Sequence, residues 1–250
     1  MLSLSEVSKV FKKNKKEITA VNNLSFEVKP GEIFGLIGTN GAGKTTTMRM
    51  ISTTIKPTAG QINVCGYDVI KEDSKVRTSL GVLYGGDTGL YDRLTARENI
   101  EYFARLNGLS DDMIKKQMDF LTNAFGLQDY LDRRCGTFSR GMKQKTSFAR
   151  AIIHNPQVML FDEPTSGLDI LASVEVLNFI KQCKEMGKTV LLSSHNMAEV
   201  EELCDRALII DKGCTLVQGA LSEIKEKTKT NSMKEAFLKL IKGNKDEEGI

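Results

Sequence analysis

The sequence predicts an α/β protein: a mainly parallel sheet with helices on both faces, an antiparallel β layer beside it, and an inserted helical lobe. Three observations predict this. The first third reads as short apolar strands separated by turn signals, and the middle carries apolar residues at helical intervals. From Val158 onward, short apolar runs alternate with helical segments, the pattern of strands buried on both faces.

Strands are expected at Leu2 to Phe11, Leu24 to Val28, Ile33 to Ile37 and Gln61 to Val64, punctuated by Pro30-Gly31 and Thr58-Ala59-Gly60. Between Leu94 and about Leu131 the spacing of Ile100, Phe103 and Leu106, then of Met118, Leu121 and Phe125, predicts two helices broken at Gly108 and Gly126. The alternating half then gives a strand at Val158 to Phe161, a helix at Ala172 to Met186, a strand at Val190 to Leu192, a helix at Met197 to Cys204 and a strand at Leu208 to Ile210. Two short helices and a frayed charged tail, Lys245 to Glu248, are expected to close the chain. The expected organisation is one main domain over residues 1–220, with a helical subdomain inserted at about 88–155, and a helical extension over 221–250.

Composition narrows the class. Of 250 residues, 40% are hydrophobic and 27% charged, enough to build a core, and a net charge of +3 gives no electrostatic case for nucleic acid. The longest apolar runs, Val158 to Phe161 and Ala207 to Ile210, fall far short of the roughly 20 residues that cross a bilayer. Met1 to Glu6 lacks the basic patch and apolar core of a secretory signal, so a cytoplasmic location is expected. Cys65, Cys135, Cys183, Cys204 and Cys214 are odd in number and scattered, which predicts reduced thiols packed as small apolar groups. Lys12, Lys13, Lys15 and Lys16 read as a solvated loop.

The chemistry concentrates in ordered motifs. Gly38-Thr39-Asn40-Gly41-Ala42-Gly43-Lys44-Thr45 fits the phosphate-loop pattern and stands between an apolar strand and a helix-compatible segment. In such a loop, glycines let successive N–H groups face inward, and the helix N-terminus adds positive potential for a triphosphate. Lys44 is placed to reach the β- and γ-phosphates and Thr45 to hold Mg²⁺. Downstream, the strand Val158 to Phe161 ends in Asp162-Glu163, where Asp162 would serve the metal and Glu163 would polarise the attacking water. Between them, Ser139-Arg140-Gly141-Met142 opens a further helix, either as an anion-seeking N-terminus or as a plain cap. His154, before Asn155-Pro156, is explained as a cationic side chain near a helix C-terminus.

With Pro164-Thr165-Ser166-Gly167-Leu168-Asp169 and an isolated His195 after a strand, the order of motifs resembles the ATP-binding cassette family over residues 1 to about 220. The resemblance implies the phosphate-loop ABC ATPase fold and a head-to-tail homodimer, with ATP sandwiched between one copy's phosphate loop and the other's signature sequence. It implies nucleotide contacts at Phe11, Val21, Thr39, Asn40, Gly41, Ala42, Gly43, Lys44, Thr45 and Thr46, with Ser139, Gly141 and Met142 contacting the partner's nucleotide. Asp169 would lie at the dimer seam, His195 would act with Glu163 at the γ-phosphate, and Phe11 would stack on adenine.

Residues Gly85 to Thr95 and Ser139 to Lys145 resemble the ATPase subunits of two-component bacterial sodium-extruding exporters. That likeness implies transport through a separate integral-membrane subunit and a place on the inner membrane face. A soluble ABC ATPase acting on ribosome or DNA is the alternative; it is disfavoured because the chain holds one cassette and no sustained heptads. A phosphate-loop kinase or GTPase would leave Ser139 to Lys145 and His195 without purpose. Three departures stand out. Phe138-Ser139-Arg140-Gly141-Met142 replaces the commoner Leu-Ser-Gly-Gly-Gln, Gly85-Gly86-Asp87 stands where many relatives carry a metal-sensing glutamine, and Gly167 stands where Ala is frequent, a change expected to be neutral.

Overall fold

The structure, a computed structural model, describes residues 1–13, 16–84 and 89–247. Ten strands and nine α-helices are described. An antiparallel sheet of order β2-β1-β4-β5 is built from β1 (Leu2–Lys13), β2 (Lys16–Val28), β4 (Ala59–Val64) and β5 (Tyr67–Asp68). The main sheet has order β10-β9-β3-β8-β7-β6, from β3 (Ile33–Gly38), β6 (Leu80–Tyr84), β7 (Val158–Asp162), β8 (Thr189–Ser194), β9 (Arg206–Asp211) and β10 (Cys214–Ala220). All its neighbours run parallel except β10, which returns antiparallel along β9.

The apolar runs are continuous because both faces of this sheet are covered. Phe34, Leu36, Leu160, Leu191 and Leu208 enter the core shared with the antiparallel sheet and α1 (Lys44–Ile51). The alternate residues Ile37, Met159, Phe161, Leu192 and Ile209 enter the opposite core. That second core holds the helical lobe of α3 (Ala96–Leu106), α4 (Asp111–Phe125) and α5 (Arg140–Ile152), together with α6 (Ile170–Glu185) and α7 (Met197–Leu203). The short α2 (Asp73–Ser79) leads into β6. The Thr95 hydroxyl and Glu98 form a capping box at the start of α3. Gly126, in the left-handed region, ends α4 where the sequence predicts a break.

Several expectations need correction. β2 starts at Lys16 rather than Leu24, so Lys12 and Lys16 belong to paired strands, with Lys12 3.1 Å from Glu17. Lys15 and Gly85 to Asp87 lie outside the described residues. β10 has no counterpart in the sequence reading. Leu106, one of the residues whose spacing predicts its helix, is 63% exposed. Beyond α8 (Leu221–Thr228), α9 (Met233–Glu247) is not short, and its backbone remains helical where a frayed tail is expected. The cysteines are free: Cys135, Cys183 and Cys204 are buried, and Cys65 and Cys214 half-buried. Among the described residues no helix is long and apolar enough to cross a membrane.

Candidate active site

β3 delivers the chain to the phosphate loop at an interior point of the main sheet, between β9 and β8. An added Cβ at Gly38 would lie 2.5 Å from the Ile210 carbonyl, so only glycine lets the loop begin so close to β9. Gly43 sits at φ +104 as the N-cap of α1, and a Cβ there would lie 2.5 Å from the Ala20 carbonyl. No side chain caps α1, which leaves its first N–H groups to an anion.

The resulting cradle, of about 190 Å³, is lined by Ala20, Thr39, Asn40, Gly41, Lys44, Thr45, Thr46 and Glu163 among others. Lys44 donates to the carbonyls of Gly38 (2.7 Å) and Thr39 (3.2 Å), and its ammonium lies 3.1 Å from Glu163 Oε1. Glu163 Oε2 lies 2.6 Å from His195 Nδ1; the carboxylate only accepts, so Nδ1 carries the hydrogen. Lys44, Glu163 and His195, distant in sequence, thus form one polar chain.

Asp162 ends β7 with its carboxylate buried, and Ser193 at the end of β8 ties the acidic pair together. The Ser193 hydroxyl donates to Asp162 Oδ1, while the Glu163 N–H donates to both Ser193 Oγ and Ser193 O at 3.1 Å. Glu163 adopts φ +50, an unusual conformation for a non-glycine residue, held by that pair of acceptors. Sequence reasoning missed Ser193; its only trace was a Ser193-Ser194 pair ending an apolar strand. It also missed Glu199, buried on α7, which receives Thr165 Oγ1 (2.6 Å), Ser194 Oγ (3.0 Å) and Asn196 Nδ2 (3.0 Å). Glu199 thereby pins the segment after Glu163 to the segment holding His195. A further unforeseen group is Asp211, which accepts from Thr39 Oγ1 (3.3 Å) and from Asn244 Nδ2 of α9 (2.9 Å).

Other expected site residues fall elsewhere. Val21 is fully buried behind Gly43, and Ala20 lines the cradle in its place; Ala42 is also buried. Phe11 is 39% exposed, with Lys9 Nζ 5.1 Å from its ring centre, and is not part of the cradle lining. Ser139, Gly141 and Met142 do not line the cradle. Ser139 caps α5 by accepting the Met142 N–H at 3.3 Å, and the Met142 side chain packs on the core. Asp169 caps α6 through the Ala172 N–H at 2.8 Å. Gly167 is not neutral: it sits at φ +69 with the Arg140 guanidinium against it, a place where alanine would be strained.

His154 is not cationic. It follows the end of α5, its Nε2 lies 2.9 Å from the Leu80 carbonyl, and burial lowers its pKa. Because a carbonyl only accepts, Nε2 carries the hydrogen and Nδ1 is left buried without a partner.

A phosphate loop on a parallel sheet, beside a strand ending in two acids and a histidine reaching the second acid, defines a phosphate-loop ATPase cassette. The ABC transporter family model matches residues 21–166, and the chain belongs to that family. The chain is 46% identical over 244 residues to ABC transporter ATP-binding protein NatA of Bacillus subtilis, covering 97% of this chain and 99% of the relative. It is 38% identical over 224 residues to the linearmycin resistance ATP-binding protein LnrL of the same organism, covering 90% and 70%. Among solved structures it is similar to an ATP-binding subunit of an ABC transporter, with TM-score 0.86, 30% identity and coverage of 96% and 99%. It is also similar to a dimeric bacterial ABC transporter cassette, with TM-score 0.78, 26% identity and coverage of 88% and 99%.

Proposed function

We propose that this ATPase is the nucleotide-binding subunit of an exporter, in which two copies close head to tail over two ATP and reopen on hydrolysis. The observation that carries this reading is the division of the site. The cradle holds Lys44, Thr45 and Glu163 but none of Ser139, Gly141 or Met142, which supports a reading in which the signature comes from a second copy. The dimeric form of a cassette 26% identical to this chain supports it.

Within each half-site, phosphate oxygens would compete with Glu163 for the Lys44 ammonium. Glu163 then acts as the base on the attacking water, oriented by His195. The Thr45 hydroxyl and Asp162 carboxylate are hard oxygen donors suited to Mg²⁺ alongside phosphate oxygens. When bound, the ion neutralises charge on those oxygens. Phe11, 39% exposed near the end of β1 and paired there with Ile18 of β2, is proposed to meet adenine.

The membrane subunit is proposed to dock at a groove of about 410 Å³ between α2, β6, α3 and α5, where exposed Leu106 and half-buried Phe103 stand beside Arg77. This holds the chain on the inner membrane face. Sodium as the cargo rests on the sequence likeness of Gly85 to Thr95 and Ser139 to Lys145 to sodium-extruding exporters, with the 46% identity over nearly the full length of NatA as support for a close kinship.

Mixing Lys44→Ala chains with Ser139→Arg chains tests the shared site: each alone is inactive, and the mixture recovers part of the activity because hybrid dimers hold one intact site. No recovery contradicts the reading. For the cargo, vesicles holding the chain and the membrane protein that co-purifies with it should move sodium on adding ATP. Vesicles that hydrolyse ATP and move none would remove sodium from the proposal.

A further inference from the structure

The first turns of α6 carry an apolar stripe that the fold leaves bare. Ile170 and Leu171 are 82% and 80% exposed, and Val174, one turn along the same side, is 48% exposed. Such a stripe at a helix start, where polar residues cost nothing, marks an interaction surface. A second apolar surface lies beside His195. Between α7 and α9 runs a groove of about 550 Å³, floored by buried Met197 and walled by Phe237 and the half-exposed Leu238. α9 is fixed there by the Met233 N–H, which donates to Glu201 at 2.8 Å, and by Lys239, which donates to the Thr228 carbonyl at 2.8 Å.

We propose that these two surfaces form one interface: the Ile170, Leu171 and Val174 stripe of one copy seats in the Met197, Phe237 and Leu238 groove of a second copy of this chain. The inference rests on the shared-site reading above and gives that dimer a contact away from the nucleotide. Continuity supports it. The stripe begins one residue after Asp169, in the segment that flanks the signature, since Arg140 lies against Gly167. The groove begins at His195, which is bonded to Glu163 in the cradle. When the signature of one copy covers the cradle of the other, the elements flanking each are brought side by side, and two-fold symmetry makes the contact twice. Neither surface has another apolar cover among the described residues. The extension formed by α8 and α9 thereby becomes part of the dimer rather than an appendage.

The test uses full-length Glu163→Gln chains with Cys65→Ser and Cys214→Ser, which removes the accessible thiols. One version carries Leu171→Cys with Leu238→Cys, and light scattering of the same chains before joining reports the shared-site dimer. A short bis-maleimide should join the pair into covalent dimers only with Mg-ATP. A dimer mass with an unjoined Leu171/Leu238 pair overturns the inference and leaves the shared site standing; a single-chain mass in saturating Mg-ATP overturns both. Joining of the Leu171/Leu238 pair without ATP also overturns it, because the contact then belongs to a different association. Independently, Leu171→Asp should weaken ATP-dependent dimerisation about tenfold or more, as expected for a lost interface anchor. Undiminished dimerisation would contradict the role of the stripe.

Discussion

Ser193→Ala tests whether one hydroxyl organises the acidic pair. The side chain is fully buried, donates to the nearly buried Asp162 carboxylate and accepts the Glu163 N–H at 3.1 Å. Glu163 N–H retains the Ser193 carbonyl at 3.1 Å, so the principal loss is the bond to Asp162. A hydrogen bond to a charged group contributes about 1.5–3 kcal/mol. In a chain of this size each kcal/mol shifts the unfolding midpoint by about 2–4 °C, which gives a fall of about 3–12 °C. Asp162, freed to rotate, should also raise the Mg²⁺ concentration needed for half-maximal activity and lower turnover by about tenfold, or about 1.4 kcal/mol. Thermal unfolding and a Mg²⁺ titration of ATPase activity measure both. A midpoint moved by less than about 1 °C together with an unchanged titration would refute the tethering role.

Glu163→Gln should slow hydrolysis about 10²–10⁴-fold, or about 3–5 kcal/mol, while ATP binding persists, because the amide keeps the shape and loses the base; near-normal turnover removes the assignment. Burial depresses the His154 pKa, so the imidazole is neutral in the fold, and its stabilising contribution is present above the unfolded value of about 6.5 and lost as pH falls below it. His154→Gln, which can still donate to the Leu80 carbonyl, should flatten the fall of urea midpoints between pH 7.5 and 5.5; equal slopes contradict this. Burial pushes the thiols of Cys183 and Cys204 up to about 12 and of Cys135 up to about 11, and raises that of half-buried Cys65 as well, so at pH 8 maleimide should label Cys214 first, Cys65 more slowly and the three buried thiols slowest in the native chain. Rapid labelling of all five would mean that the helical core opens readily.

The phosphate loop, the apolar strands of the main sheet and the lobe between Leu94 and Leu131 were legible because each depends on local pattern. Gly43 must be glycine for its φ, and β7 and β8 must be apolar because both faces are covered. β10 was hidden because Cys214 to Ala220 lies on a sheet edge and mixes polar and apolar residues. The Lys212-Gly213 turn, with both residues at positive φ, was its available signal. The N-terminal half of β2 was missed because its cross-strand partners, rather than its composition, make it a strand. In the site, the acids and His195 could be named from order, but Ser193, Glu199 and Asp211 act through partners about 30 or more residues away. Only the assembled sheet brings those partners together. His154 shows the reverse error: its place near a helix end suggested a cation, and burial against Leu80 makes it neutral.

The central claim is that one chain supplies two unlike halves of a composite ATP site. The mass of Glu163→Gln chains in solution, measured by light scattering with and without saturating Mg-ATP, tests it most directly. The account predicts twice the 27.7 kDa chain mass with Mg-ATP, and reversion to the single-chain mass when Ser139→Arg is added. A single-chain mass in saturating Mg-ATP, with ATP shown to be bound, would contradict it.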